Sequence, residues 1–157
     1  MKENDITIRK ATDQDRDAIL EIAARLHDWF DQDAVTRAIP TDLYFHKTIV
    51  AEINNRLAGF LTYSTHEGHV YIGWLGVDES LQRSGIGTQL IKYLEKELLI
   101  LGIRELKVET LSDKIDYEPY VRTRAFYEKD GFIKGETRSV ISADGEELEM
   151  VTYVKNL

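Results

Sequence analysis

The chain has 157 residues, 43% of them hydrophobic, and a formal net charge of −8. That length fits one domain spanning residues 1–157 with a sizeable core, and the acidic balance speaks against a nucleic-acid partner, which needs a basic face. There is no cysteine, no charged-then-apolar leader and no run near the ~18 apolar residues of a membrane span, so a soluble, cytoplasmic protein without membrane contact is expected.

Ile6 and Ile8 alternate with Thr7 and Arg9 as in an opening strand. Thr12, with Asp15 three residues on, comes close to a capping box. A helix then runs through Ala18, Ile19, Ile22, Ala23 and Leu26, apolar at helical spacing. His27-Asp28-Trp29-Phe30-Asp31 breaks the pattern and sets two large aromatics among acids. A short helical piece follows, which Pro40 is expected to end. Residues 48–53 read as a strand, 54–56 as a turn, and 57–65 as the antiparallel partner, where Gly59 thins one face. After a turn at 66–68, residues 69–77 are rich in β-branched and aromatic side chains, the pattern of a strand buried on both faces. Three consecutive strands make a meander.

From Ile86 the apolar residues fall at 86, 90, 91, 94, 98 and 101, with Lys92, Glu95 and Lys96 opposite and Gly102 as the C′ stop. Between strand and helix lies Gln82-Arg83-Ser84-Gly85-Ile86-Gly87-Thr88. Its glycines let backbone N–H groups point outward and let a ligand approach without meeting a Cβ atom. A helix start carries unpaired N–H groups and partial positive charge, so an anion fits there, a phosphate above all, and Arg83 adds a full charge. A P-loop is excluded, because Gly-Lys-Ser/Thr is missing. A dinucleotide fingerprint is disfavoured by Leu90, where a third small residue is needed for close helix packing.

Residues 105–110 alternate as a fifth strand, parallel to the fourth across the helical crossover. Residues 111–122, with Asp-Tyr-Glu-Pro-Tyr, read as a loop in which Pro119 blocks helix. Residues 123–131 form a short helix closed by Gly131, a strand begins at Phe132-Ile133, and 138–154 is a hairpin around Asp144-Gly145. The order gives an α/β fold with a mixed, mostly antiparallel sheet of about six to seven strands and helices on both faces.

The spacing Gln82-x-x-Gly85-x-Gly87, after a strand and opening a long helix, resembles the GNAT superfamily of acyl-CoA-dependent N-acyltransferases. A second block, Ala-Phe-Tyr-Glu-Lys-Asp-Gly-Phe at 125–132, resembles that family's short helix, and the likeness runs over nearly the whole chain. It implies a single GNAT-like domain that moves an acetyl group from acetyl-CoA to a primary amine of a small molecule or peptide by direct attack. The loop amides of Gln82, Arg83, Ser84, Gly85, Ile86, Gly87 and Thr88 would hold the pyrophosphate. The fourth strand at Leu75, Gly76 and Val77 and the fifth around Thr110 would take the pantetheine between them, Gly76 keeping the path open. Tyr127 matches the tyrosine beside the sulfur and would protonate the leaving thiolate.

The reaction needs a neutral amine, a held carbonyl oxygen and a protonated leaving group. No single base stands out: Glu109, Asp116, Glu118, His69 and a water chain all qualify, with Glu109 the first choice. Aromatic faces and carboxylates both attract ammonium groups, so a cationic acceptor is expected between Trp29-Phe30 and the 116–120 stretch, through Asp116, Glu118 and Tyr120. Where the family carries an Asn after the fifth strand, this chain has Ser112 and Asp113. With four histidines and no cysteine, a clustered metal site is not indicated. The alternative reading is a non-catalytic acyl-CoA-binding sensor or interaction module, and the composition is compatible with a homodimer.

Overall fold

A computed structural model describes residues 5–157. Seven strands form one sheet: β1 (Ile6–Lys10), β2 (Lys47–Ile53), β3 (Arg56–His66), β4 (His69–Val77), β5 (Glu105–Leu111), β6 (Ile133–Ile141) and β7 (Glu147–Asn156), in the order β1-β2-β3-β4-β5-β7-β6. The helices are α1 (Arg16–Arg25), α2 (Ile39–Phe45), α3 (Ile86–Ile100) and α4 (Glu118–Lys129), with a π-helical turn at Ala34–Ala38 before α2. The pairing of β4 with β5 is parallel and joins Tyr71 to Lys107 and Ile72 to Val108, as expected of the crossover. The α/β class and the strand count agree with the sequence reading.

The chain divides into two compact units, one made of the residues up to Ser64 together with Gly73–Ile103, the other of Thr65–Ile72 and Arg104–Leu157. In the first, Val50 faces Phe60 across β2 and β3, and both belong to a core with Ile19, Ile22, Ala23 and Leu26 of the α1 segment. Successive residues of a strand point to opposite faces. Gly59 therefore looks the other way, and a Cβ there would lie 3.3 Å from Ile86 Cγ2 at the start of α3. Helices thus cover both faces of this part of the sheet. Arg9 ties the entry to α1: it donates to both Asp15 oxygens at 2.7 and 2.9 Å and to Glu52 at 2.6 Å, while the Thr12 N–H donates to Asp15 at 2.7 Å.

In the second unit, β5 alternates strictly between buried and half-buried residues and pairs with β7 from Glu105↔Asn156 to Leu111↔Met150. A buried stripe on α4 places Arg124 and Tyr127 inward.

The structure corrects the sequence reading in four places. Pro40 and Pro119 do not end or block helices: Pro119 stands in the first turn of α4, where the missing N–H would have had no intrahelical partner, and Pro40 lies where the π-helical turn, with the Ile39 N–H donating to the Ala34 carbonyl, runs on into α2. The loop expected at 111–122 is therefore shorter, because α4 begins at Glu118. β4 is not buried on both faces: Val70 and Ile72 are buried, but His69 is exposed and Tyr71 half-exposed. The Tyr71 face is polar, with the Lys107 ammonium 5.9 Å from its ring. Leu101, placed on the apolar stripe of the helix, is 72% exposed, because the helix has ended and Gly102 has turned left-handed with φ 78°.

Candidate functional site

The turn from β4 into α3 is built by backbone. Asp78 accepts from the Ser80 N–H and hydroxyl and from Arg25 at 2.9 Å, which fixes the short 3-10 turn Glu79–Leu81. Gln82 folds back so that its side-chain amide donates to the Val77 carbonyl at 3.2 Å, closing the loop onto the end of β4. Arg83 then takes a left-handed φ of 68° and Gly85 one of 82°. Gly85 is the N-cap of α3, no side chain caps that end, and no acid lies in its first turn. The other three α-helices each carry an acid there, Asp17 in α1, Asp42 in α2 and Glu118 in α4. The start of α3 thus presents amide hydrogens, a nearby Arg83 and open space over Gly85, where a Cβ would meet nothing within 4 Å. That is the chemistry of an anion site.

Side chains of the same stretch are committed elsewhere. Ile86 is 1% exposed, in the core, so its backbone N–H, without an intrahelical partner at the first position of α3, is its candidate donor. In β4 the space that Gly76 leaves is filled: a Cβ would lie 2.7 Å from Phe60 and 3.0 Å from Leu26. Gly76 is therefore a glycine for packing, a correction to the reading that it keeps a ligand path open. Leu75 and Val77 beside it are half-buried, and Thr110 in β5 is buried.

Tyr127 sits in an aromatic nest, its ring 5.3 Å from Phe126, 5.4 Å from Phe132 and 6.3 Å from Tyr153. Burial, helped by Tyr120 and Asp130, raises its hydroxyl well above the ordinary phenol value, so it holds its proton. Tyr153 below it donates to Glu128 at 3.0 Å and is pushed up to about 12, by burial first and that bond second. Glu109 is engaged by Arg138, which donates to both of its oxygens at 2.7 and 2.5 Å, and this pairing raises Arg138. His69, another candidate base, is exposed and lies 3.2 Å from Glu105.

The acceptor candidates fall in separate settings. Phe30 is buried and meets Trp74 edge-on at 5.6 Å, and Trp29 packs partly buried against the same core. In α4 and the residues before it, Tyr117 and Tyr120 lie 6.1 Å apart, and Glu118 pairs with Arg122 at 3.0 Å. Asp116 is exposed. Ser112 and Asp113 differ sharply: Ser112 is fully buried, whereas Asp113 is exposed and paired with Lys134 at 2.5 Å.

Two features escaped sequence reasoning. Buried Arg124 donates to the carbonyls of Leu111, Ser112 and Ile115 at 2.9, 2.9 and 3.1 Å, gathering the loop after β5. Its signal was an arginine on the stripe 120, 124, 127. The second is a polar cluster of Asp42, His46, Thr62 and Trp74, signalled only by an Asp and a His four apart. Among the described residues no group of three or more His, Cys, Asp or Glu suited to a metal ion occurs.

The sequence profile of the Acetyltransferase (GNAT) family matches residues 16–132. The chain belongs to that family. Membership implies acyltransferase activity. No curated protein matches it. Among solved structures, a GNAT-family protein from Desulfovibrio desulfuricans superposes with a TM-score of 0.77 at 21% identity, over 96% of this chain and 98% of the other. A GNAT acetyltransferase from Elizabethkingia anophelis with acetyl-CoA bound gives 0.73 at 20%, over 99% and 100%. A candidate streptothricin acetyltransferase from Bacillus anthracis, in complex with acetyl coenzyme A, gives 0.76 at 18%, over 97% and 98%. The likeness of this chain to these structures is one of fold.

Proposed function

We propose that residues 1–157 act as one cytoplasmic N-acetyltransferase domain, moving the acetyl group of acetyl-CoA to a primary amine of a small molecule or peptide. One observation carries the reading: α3 opens at a left-handed glycine, with no side-chain cap and no acid in its first turn, at the end of the strand that the family motif follows. Two solved structures of the same fold hold acetyl-CoA, which supports the co-substrate.

The amides of residues 82–88 take the pyrophosphate, Arg83 adds charge, and the backbone of Leu75, Gly76 and Val77 serves the pantetheine; Thr110, in the other unit, is a candidate for the same group. Tyr127 serves the sulfur. A phenol of ordinary pKa ~10 is already a weaker acid than a thiol of pKa ~8.5, and burial widens the gap. Its first contribution is therefore a hydrogen bond that strengthens as the thiolate forms. Glu109, in its pair with Arg138, and Asp116, Glu118 and Tyr120 serve the acceptor amine from one unit; Trp29 and Phe30 are its candidates in the other.

The test is a pair of measurements on the full chain. Acetyl-CoA should raise the melting temperature, and a panel of polyamines, amino acids, aminoglycosides and N-terminal peptides should release free thiol with at least one member. A melting shift without thiol release for any amine would leave a binding module only; no shift at all would remove the cofactor assignment.

A further inference from the structure

Arg124 is 8% exposed, and three carbonyl oxygens meet its guanidinium: Nη1 donates to Leu111 and Ser112, both at 2.9 Å, and Nη2 to Ile115 at 3.1 Å. Taking a cation out of water is costly, and carbonyl dipoles offset that cost here. An apolar side chain would fill the same stripe of α4 without it. Packing therefore does not account for the arginine, and its hydrogen bonds into the chain after β5 do.

Residues 112–117 run between β5 and α4. Within the stretch, the Ile115 N–H donates to the Ser112 carbonyl at 3.0 Å and the Lys114 N–H to the Ser112 hydroxyl at 3.2 Å. Two ion pairs tie it to the hairpin, Asp113 with Lys134 at 2.5 Å and Lys114 with Glu149 at 2.8 Å, but each has a well-exposed partner, and such pairs contribute little. Arg124 is the buried tie. The stretch leads into Asp116 and Tyr117; the Tyr117 ring is 44% exposed and lies 6.1 Å from that of Tyr120. Arg124 also stands three residues before Tyr127 on the buried stripe of α4, so one helix face carries both the hydroxyl assigned to the sulfur and the anchor of this stretch.

We infer that Arg124 is the positioning residue of the acceptor end, an inference that rests on the acetyl-transfer reading above. It acts through backbone: by gathering the carbonyls of 111, 112 and 115 it holds Asp116 and the Tyr117 ring against the start of α4, so that the amine meets a preformed wall in fixed register with Tyr127. Register matters because a bound group misplaced by about 1 Å can cost ~10²-fold in rate. The acceptor is then selected by the shape that the two tyrosine rings present, and the exposed acids beside them add only screened charge.

The test compares the full chain with Arg124→Met, which keeps a long side chain and removes the donors, and Arg124→Lys, which keeps the charge and cannot span three carbonyls. In native-state hydrogen exchange without substrate, the Lys114 and Ile115 amides should exchange about ten-fold faster in Arg124→Met, while the Tyr153 amide in β7 keeps its protection. With spermidine, or the first amine of the panel that the wild type turns over, kcat/KM for the amine should fall by about ten-fold. The KM for acetyl-CoA should stay in place, the loss should persist at high salt, and Arg124→Lys should lie between the two. Should Arg124→Met not fold, Arg124→Lys gives the same readings at smaller size. Unchanged exchange at 114 and 115 overturns the anchoring; faster exchange with an unchanged kcat/KM for the amine, a loss of stability alone, overturns the acceptor role. A wild type that binds acetyl-CoA and acetylates no amine overturns the transfer reading and the acceptor role with it, and the exchange rates then still decide whether Arg124 holds the stretch.

Discussion

Helices α3 and α4 begin in opposite ways. α3 starts at a left-handed glycine with neither cap nor acid, whereas α4 starts with Glu118 and Pro119, an acid that meets the helix dipole and a residue with no N–H to offer. The start of α1 is filled in the same sense, by Asp15 under Arg9. A helix whose first turn is already satisfied has little left for an anion. It contributes instead through its flank, as α4 does with Arg124 under the loop carbonyls and Tyr127 in its nest. The family chemistry assigned to this chain thus draws on the end of one helix and the face of another.

The sharpest break of that comparison is Tyr127→Phe. The ring and its aromatic contacts remain, so acetyl-CoA binding should hold, while kcat falls by ~10²–10³, about 3–4 kcal/mol in barrier. Steady-state rates under conditions where chemistry limits turnover provide the check; equal kcat in the two proteins would return α4 to a purely packing role. Next in size is Gly87→Val, which adds a branched side chain to the first turn of α3. At a hundredfold excess over its dissociation constant, acetyl-CoA should stabilise the wild type by about 2.7 kcal/mol, and the variant should lose most of that. An undiminished ligand-induced melting shift would mean that this end is not where the anion binds.

A filled helix start should show its own signature in acid. Hydrogen bonds from Arg9, with the Thr12 N–H adding to them, hold the Asp15 carboxyl below its ordinary value against the opposing effect of burial. Its folded pKa is depressed, so its contribution is in place above the unfolded value of ~3.9 and is lost as pH falls through the lower folded value. Asp15→Asn should destabilise the protein by about 2 kcal/mol at neutral pH. The penalty should shrink below about pH 4, as the wild type gives up the same interaction. Denaturant midpoints across that range measure it. A penalty that stayed constant down to strong acid would show the pair to be energetically idle.

Local rules read well wherever backbone or period decides the outcome. Gly85 and Gly102 could be placed from the sequence because each marks an end of a helix whose buried stripe 86, 90, 91, 94, 98 is regular. β5 could be placed because 105–110 alternates without a break, although the strand runs one residue further, to Leu111. The prolines misled, because Pro40 and Pro119 obey the same rule whether they stop a helix or start one, and only the residues packed around them choose. The glycine at 76 was legible as a need for space, but what fills that space, Phe60 and Leu26, comes from other strands and helices. The His46 cluster was the least legible: its members stand at 42, 46, 62 and 74, and the buried threonine that orients the ring looks like any strand threonine.

The smallest expected effect concerns the acids near the start of α4. If the face of α4 carries the chemistry and its start is merely filled, then Asp116 and Glu118 act on an acceptor only through their charge. Glu118 is 70% exposed at its side chain and shares its charge with Arg122 at 3.0 Å; Asp116 is exposed as well. Charges in such settings are screened by solvent and salt and change affinities modestly. The double substitution Asp116→Asn, Glu118→Gln should therefore raise KM for a cationic acceptor by about two- to five-fold at low ionic strength, leave KM for acetyl-CoA in place, and lose its effect as salt is added. A neutral acceptor of similar size should show no change. An unchanged KM at low and high salt alike would make these acids bystanders, and recognition of a cation would then fall elsewhere. A much larger change that salt does not touch would mean instead that one of the two carboxylates meets the amine directly, and that the start of α4 is a working end after all.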